Sequence, residues 1–118
     1  MNLQTINDIA FELFDALNQQ KIIQPLTDRY PEIDINDAYQ ISRKFLSLRE
    51  SSGEKVVGKK IGVTSSVVQE MLGVDQPDFG FLTDTMRVQN RSSFSIEDSL
   101  IQPRAEAELS LIHISEPT

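Results

Sequence analysis

The sequence predicts an α+β protein with a helical start ahead of a mainly β body. Three observations carry this. Up to Gly53, apolar residues recur at helical spacing; after it, the chain turns to Val- and Ile-rich runs punctuated by glycine; and near the end, "IQPRAEAELSLI" alternates apolar with polar residues at a period of two.

The first helix is predicted from Ile6, Ile9, Ala10, Leu13, Phe14 and Leu17, an i, i+3, i+4, i+7 stripe, with Thr5 and Asp8 as its capping box. Pro25 and Pro31 break the periodicity, so "QPLTDRYPEID" reads as a loop. A second helix is expected from the N-cap Asp34, with Asp37 at the third position and Ala38, Ile41, Phe45 and Leu48 as its stripe. Gly53 suits the left-handed residue that closes it.

"EKVVGKKIGVTSS" then reads as a strand, with Val56, Gly58, Lys60 and Gly62 on one face and Val57, Lys59, Ile61 and Val63 on the other. Thr64 or Ser65 can cap a short helix that ends at Gly73. "VDQPDFGFLTDTM" reads as a loop, yet its Phe79, Phe81 and Leu82 require it to pack back on something. "NRSSFSIEDSL" reads as a polar loop with a short turn, and "IQPRAEAELSLI" as a strand with Arg104, Glu106, Glu108 and Ser110 on its polar face.

Composition narrows the class. The chain has 118 residues, enough for one modest core. With 39% hydrophobic and 25% charged residues it reads as globular and not disordered. A net charge of −7 argues against nucleic acid or anionic membrane as a partner, since both select for Lys and Arg. The absence of cysteine excludes disulfides, thiolate catalysis and Cys-ligated zinc within this sequence. No apolar run is long enough to span a bilayer and the first residues lack a basic signal-peptide region, so a cytoplasmic protein is expected.

Four residues can carry chemistry. Glu106 and Glu108, two apart on a strand, would project from one face about 7 Å apart. They could converge on a hard divalent cation, or they could be the solvated side of a half-buried strand, and spacing alone favours the second. Lys60 has glycines on its own face at both sides, which is the open space a lysine reaching into a ligand cavity needs; an exposed lysine on a glycine-weakened edge strand has the same pattern. Asp78, between Pro77 and Phe79, could be a general acid or base among aromatics, or a turn aspartate bonded to its own backbone. His113 is the single histidine and is given no role; there is no P-loop, no GxGxxG and no metal-spaced histidine pair.

Taken together, "VVGKKIGVTSSVVQEMLGVDQPDFGFLTDTM" and "LIQPRAEAELSLI" resemble the 2-keto-4-pentenoate (2-hydroxypenta-2,4-dienoate) hydratases. These stand with the 4-oxalocrotonate decarboxylases in the fumarylacetoacetate hydrolase superfamily. The resemblance reaches back through "PLTDRYPEIDINDAYQIS" and covers nearly the whole chain to about Leu111. It implies that Glu106 and Glu108 are ligands of Mg²⁺ or Mn²⁺, and that Lys60 and Asp78 are the active-site lysine and aspartate. It implies a 2-hydroxy-dienoate (2-oxo acid) as substrate and hydration to 4-hydroxy-2-oxopentanoate in meta-cleavage degradation of aromatic compounds. Decarboxylation of a 2-oxo-3-enoate is the alternative within the family, and a non-catalytic α+β domain the alternative outside it. Family members are longer, tend to form homo-oligomers, and some associate with partner pathway enzymes. A third carboxylate ligand is expected beyond the end of this sequence. The expected organisation is a helical segment over residues 1–53, the start of a fumarylacetoacetate-hydrolase-like β body over 54–112, and a non-native tail over 113–118. The chain would then be an N-terminal fragment, inactive by itself.

Overall fold

The computed structural model describes residues 1–108, so the last four residues of the expected glutamate strand and the 113–118 tail lie outside the described residues.

Helix α1 spans Leu3–Asn18. Its cap is Asn2, not Thr5: the Asn2 side-chain oxygen accepts the Thr5 N–H at 2.8 Å. Asn caps as well as Thr does, and Asp8 is engaged by the Gln4 amide at 2.8 Å instead of reaching back to the cap. A single-turn helix, α2 (Leu26–Arg29), stands where a loop was expected. Pro25 precedes it with φ −52°, a geometry that suits entry into a helix. The Arg29 guanidinium donates two 2.8 Å hydrogen bonds to the Glu12 carboxylate, which ties α2 to α1.

Helix α3 spans Ile35–Ser51, and its capping box is the one the sequence predicts. Asp34 accepts the Asp37 N–H at 2.8 Å while Asp37 accepts the Asp34 N–H at 3.2 Å. The other Asp37 oxygen lies 3.5 Å from the Met1 ammonium, so a single carboxylate joins the cap of α3 to the start of α1. Gly53 follows the helix with φ +106°.

The core is the seam between α1 and α3. Ile6, Ile9, Ala10 and Ile41 are buried, with Leu13, Phe45 and Leu48 packed against them. Phe14 meets Phe45 edge to face, with ring centroids 6.4 Å apart.

Strand β1 (Val56–Gly62) pairs antiparallel with β2 (Asp78–Thr83). β2 corrects the loop expected over these residues. Pro77 stands just before the strand and Gly80 lies within the ladder opposite Lys60, so both turn signals are compatible with pairing. The register slips by one between Val56 and Gly58, so the predicted alternation runs unbroken only from Gly58 to Gly62. Helix α4 (Ser66–Leu72) connects the strands, capped by Ser65 and closed by Gly73 at φ +70°. A 3₁₀ turn (Asp84–Met86) and a one-turn helix, α5 (Ile96–Ser99), follow.

The fold of the described residues is thus α+β, helices leading into a two-stranded sheet where the start of the β body was expected. Residues 103–108 are not in a strand. Alternation alone does not make one: a strand needs a partner for its backbone groups, and the described residues supply none there.

Candidate functional site

The β1–β2 register decides what can meet. Residues directly opposite in an antiparallel pair share a face. Gly58–Leu82, Lys60–Gly80 and Gly62–Asp78 therefore lie on one face, and Lys59–Phe81 and Ile61–Phe79 on the other. Lys60 and Asp78 come to the same face, diagonally across the pair.

Glycines shape the ground around Lys60. A Cβ on Gly80 would stand 3.2 Å from Lys60 Cγ, and one on Gly62 would stand 3.1 Å from Lys60 Nζ. Both are tighter than ordinary contact, so the glycines leave the Lys60 side chain room along this face, where Lys60 and Asp78 are both exposed. Its amine lies beside Gly62, the strand partner of Asp78. Among the described residues the ion pairs are Met1–Asp37, Arg29–Glu12 and Arg49–Glu54, and neither Lys60 nor Asp78 is in one.

Asp78 also borders a cleft of 270 Å³ that Tyr39, Val63, Leu72 and Val74 help to line. The Tyr39 hydroxyl accepts the Phe79 N–H at 3.3 Å, so α3 is tied to β2 one residue from Asp78. Sequence reasoning passed over Tyr39 because it stands off the apolar stripe of α3. An aromatic residue beside the stripe was the available signal. A larger, 470 Å³ groove between α1 and α3 is apolar and contains none of the four candidate residues.

A second group missed in the sequence holds the frame. One Glu54 oxygen accepts from Thr83 Oγ1 at 2.6 Å, Thr85 Oγ1 at 2.5 Å and Arg49 Nη2 at 2.8 Å. Thr83 is fully buried. Burial alone would push the Glu54 carboxyl up; the threonine hydroxyls and the Arg49 guanidinium outweigh it and hold the carboxyl below its ordinary value. The end of α3, the entry to β1 and the end of β2 are thereby fastened at one point. Local spacing does not reveal such a cluster, because Thr83 and Thr85 stand 29 to 36 residues from Glu54 and Arg49.

Glu106 and Glu108 are exposed and lie apart from any element. Their donor chemistry suits a hard cation such as Mg²⁺, as two carboxylates. Among the described residues no group of three or more His, Cys, Asp or Glu comes together to complete a metal site. The structure thus puts Lys60 and Asp78 on one sheet face, and among the described residues no carboxylate cluster gathers Glu106 and Glu108 to them.

No family model matches the chain. Individual relatives match it closely. It is 49% identical over 112 residues to a 2-hydroxypent-2,4-dienoate hydratase of Pseudomonas putida, covering 95% of this chain and 50% of that protein. It is 54% identical over 110 residues to a 2-hydroxyhexa-2,4-dienoate hydratase of Comamonas testosteroni, covering 92% and 42%. A 4-oxalocrotonate decarboxylase from Pseudomonas putida G7, solved with magnesium and adipate, matches 72% of this chain and 32% of its own at a TM-score of 0.69 and 29% identity. The same decarboxylase has been solved with calcium and acetate. The chain spans half or less of the length of these relatives. Over nearly all of its residues, this chain is similar to the first half of the 2-hydroxydienoate and 2-keto-4-pentenoate hydratases.

Proposed function

We propose that the chain carries part of the active site of a metal-dependent hydratase that converts 2-hydroxypenta-2,4-dienoate to 4-hydroxy-2-oxopentanoate. The observation that carries this is Lys60, given room by glycines on the same sheet face as Asp78, in a chain whose relatives bear hydratase names. Residues 1–53 would be the helical support and residues 54–112 the start of the catalytic body. The setting would be the cytoplasm, in a homo-oligomer with or without partner pathway enzymes. No described helix is long and apolar enough to cross a membrane.

Hydration of a dienol requires one proton delivered to carbon and one water oriented for attack at C4. Lys60 and Asp78 supply a donor and an acceptor on one face. Glu106 and Glu108 are the residues that would hold Mg²⁺ or Mn²⁺, and the cation would set positive charge against the substrate's carboxylate and 2-oxygen.

The test is Mg²⁺ titration in the presence of pyruvate, paired with assay of dienoate hydration. Glu106→Gln with Glu108→Gln should lower Mg²⁺ affinity at least tenfold, and Lys60→Ala should abolish hydration while leaving Mg²⁺ affinity in place. Unchanged Mg²⁺ affinity in the double variant sinks the ligand assignment. The decarboxylase match favours a second reading, loss of CO₂ from a 2-oxo-3-enoate, which CO₂ release from that substrate would reveal. Neither activity in the assembled protein would leave a non-catalytic domain.

A further inference from the structure

Asp78 is the first residue of β2 and stands in the last pair of the ladder, opposite Gly62. It is exposed, so packing does not fix it. The end of a two-stranded ladder opens easily unless something outside the sheet holds it.

Among the described residues β2 has a strand on one side only. Amides on its other side need acceptors from elsewhere. At Phe79 that acceptor is the Tyr39 hydroxyl of α3, at 3.3 Å. At the far end of β2, Thr83 Oγ1 donates to Glu54, which also accepts from Arg49 near the end of α3. Helix α3 therefore holds β2 at two points. From Tyr39 to Arg49 is about 15 Å along a helix. From Phe79 to Thr83 is about 13 Å along a strand. The spans match, so both points can be held without bending either element. The far clasp is a cluster of several side chains, whereas the near one is a single hydroxyl. Release at Tyr39 would free the Asp78 end and leave the rest of β2 attached.

We infer that Tyr39 is a positioning residue for Asp78. Its hydroxyl, by accepting the Phe79 N–H, keeps the start of β2 in the ladder and so keeps Asp78 on the face of Lys60. The inference rests on the hydratase reading for what Asp78 does there.

Tyr39→Phe tests this, because it keeps the ring and removes only the acceptor. Amide hydrogen exchange reads the clasp. Exchange at Phe79 should rise at least tenfold, with Ile41 and Phe45 in α3 unchanged. In the assembled enzyme, kcat for dienoate hydration should fall at least tenfold, while KM and Mg²⁺ affinity stay within threefold and the melting temperature within a few degrees. A merely structural loss would lower the melting temperature and spare the kcat of the molecules that stay folded. Asp78→Asn in the same assay is the reference. If it abolishes hydration while Tyr39→Phe leaves kcat unchanged, the inference is overturned and the hydratase reading stands. A fall in kcat with Phe79 exchange unchanged also overturns it, since Tyr39 would then act on substrate directly. Full hydration by Asp78→Asn removes the role of Asp78, and the inference falls with it. Should Tyr39→Phe not fold, the unaltered chain decides. Its Phe79 amide should exchange at least tenfold more slowly than the exposed loop amide of Ser93, and equal rates overturn the inference.

Discussion

Single residues decide whether the candidate site can work. Lys60 owes its position to what its neighbours lack. Gly80→Ala would place a methyl 3.2 Å from Lys60 Cγ, so the stem must shift by a few tenths of an ångström and its amine with it. The expected outcome is at least a tenfold loss of hydration rate with an unchanged circular dichroism spectrum, measured in the assembled enzyme. Glu54 works at the same scale, for the frame. Glu54→Ala strands the Arg49 guanidinium and two threonine hydroxyls, at a cost of about 3 kcal/mol, readable in urea unfolding. The cluster also gives a pH dependence. The folded Glu54 carboxyl is held below its ordinary value of 4.5, so its contribution is present above that value and fades as pH falls through the folded value. Acid unfolding followed in Glu54→Gln should lose this part of the slope. The open space beside Lys60 was legible because glycines stand at both sides of it on one strand face. Glu54 was not, since a carboxylate after a helix-ending glycine has the look of ordinary surface.

At the scale of elements, helices and strands divided sharply. The capping box of α3 was readable because all its partners lie within three residues. Asp34→Ala should cost about 1 kcal/mol in thermal or urea unfolding, the usual cost of a lost cap. The start of α1 was misplaced toward Thr5 because Asn2 competes for the same role, and only the built helix shows which residue wins. β2 was hidden behind Pro77 and Gly80, which read as turn residues. In place, one precedes the strand and the other makes room for Lys60. The segment holding Glu106 and Glu108 shows the opposite error, a good strand pattern without a partner strand among the described residues.

Across the whole molecule, the burial is uneven. The core sits between α1 and α3, and Ile9→Ala there should cost about 2–5 kcal/mol by leaving a cavity in a seam with few other buried residues. The sheet contributes no comparable core. On its face away from Lys60, Ile61 is 49% and Phe79 54% exposed. Apolar surface of that kind lowers solubility. Ile61→Thr with Phe79→Thr should raise the soluble concentration of the chain without altering its melting temperature by more than a few degrees, checked by sedimentation and thermal unfolding.

The sequence by itself determined the two long helices, the cap of α3, the glycines around Lys60 and the hydratases that it resembles. Those features rest on contacts a few residues apart, where spacing and side-chain chemistry suffice. Tertiary structure alone decided that "VDQPDFGFLTDTM" supplies a strand, that its register carries Asp78 to the face of Lys60, and that Glu54 gathers Arg49, Thr83 and Thr85. Strand pairing and buried polar clusters join residues distant in the chain, and a slip of one position would have sent Asp78 to the opposite face.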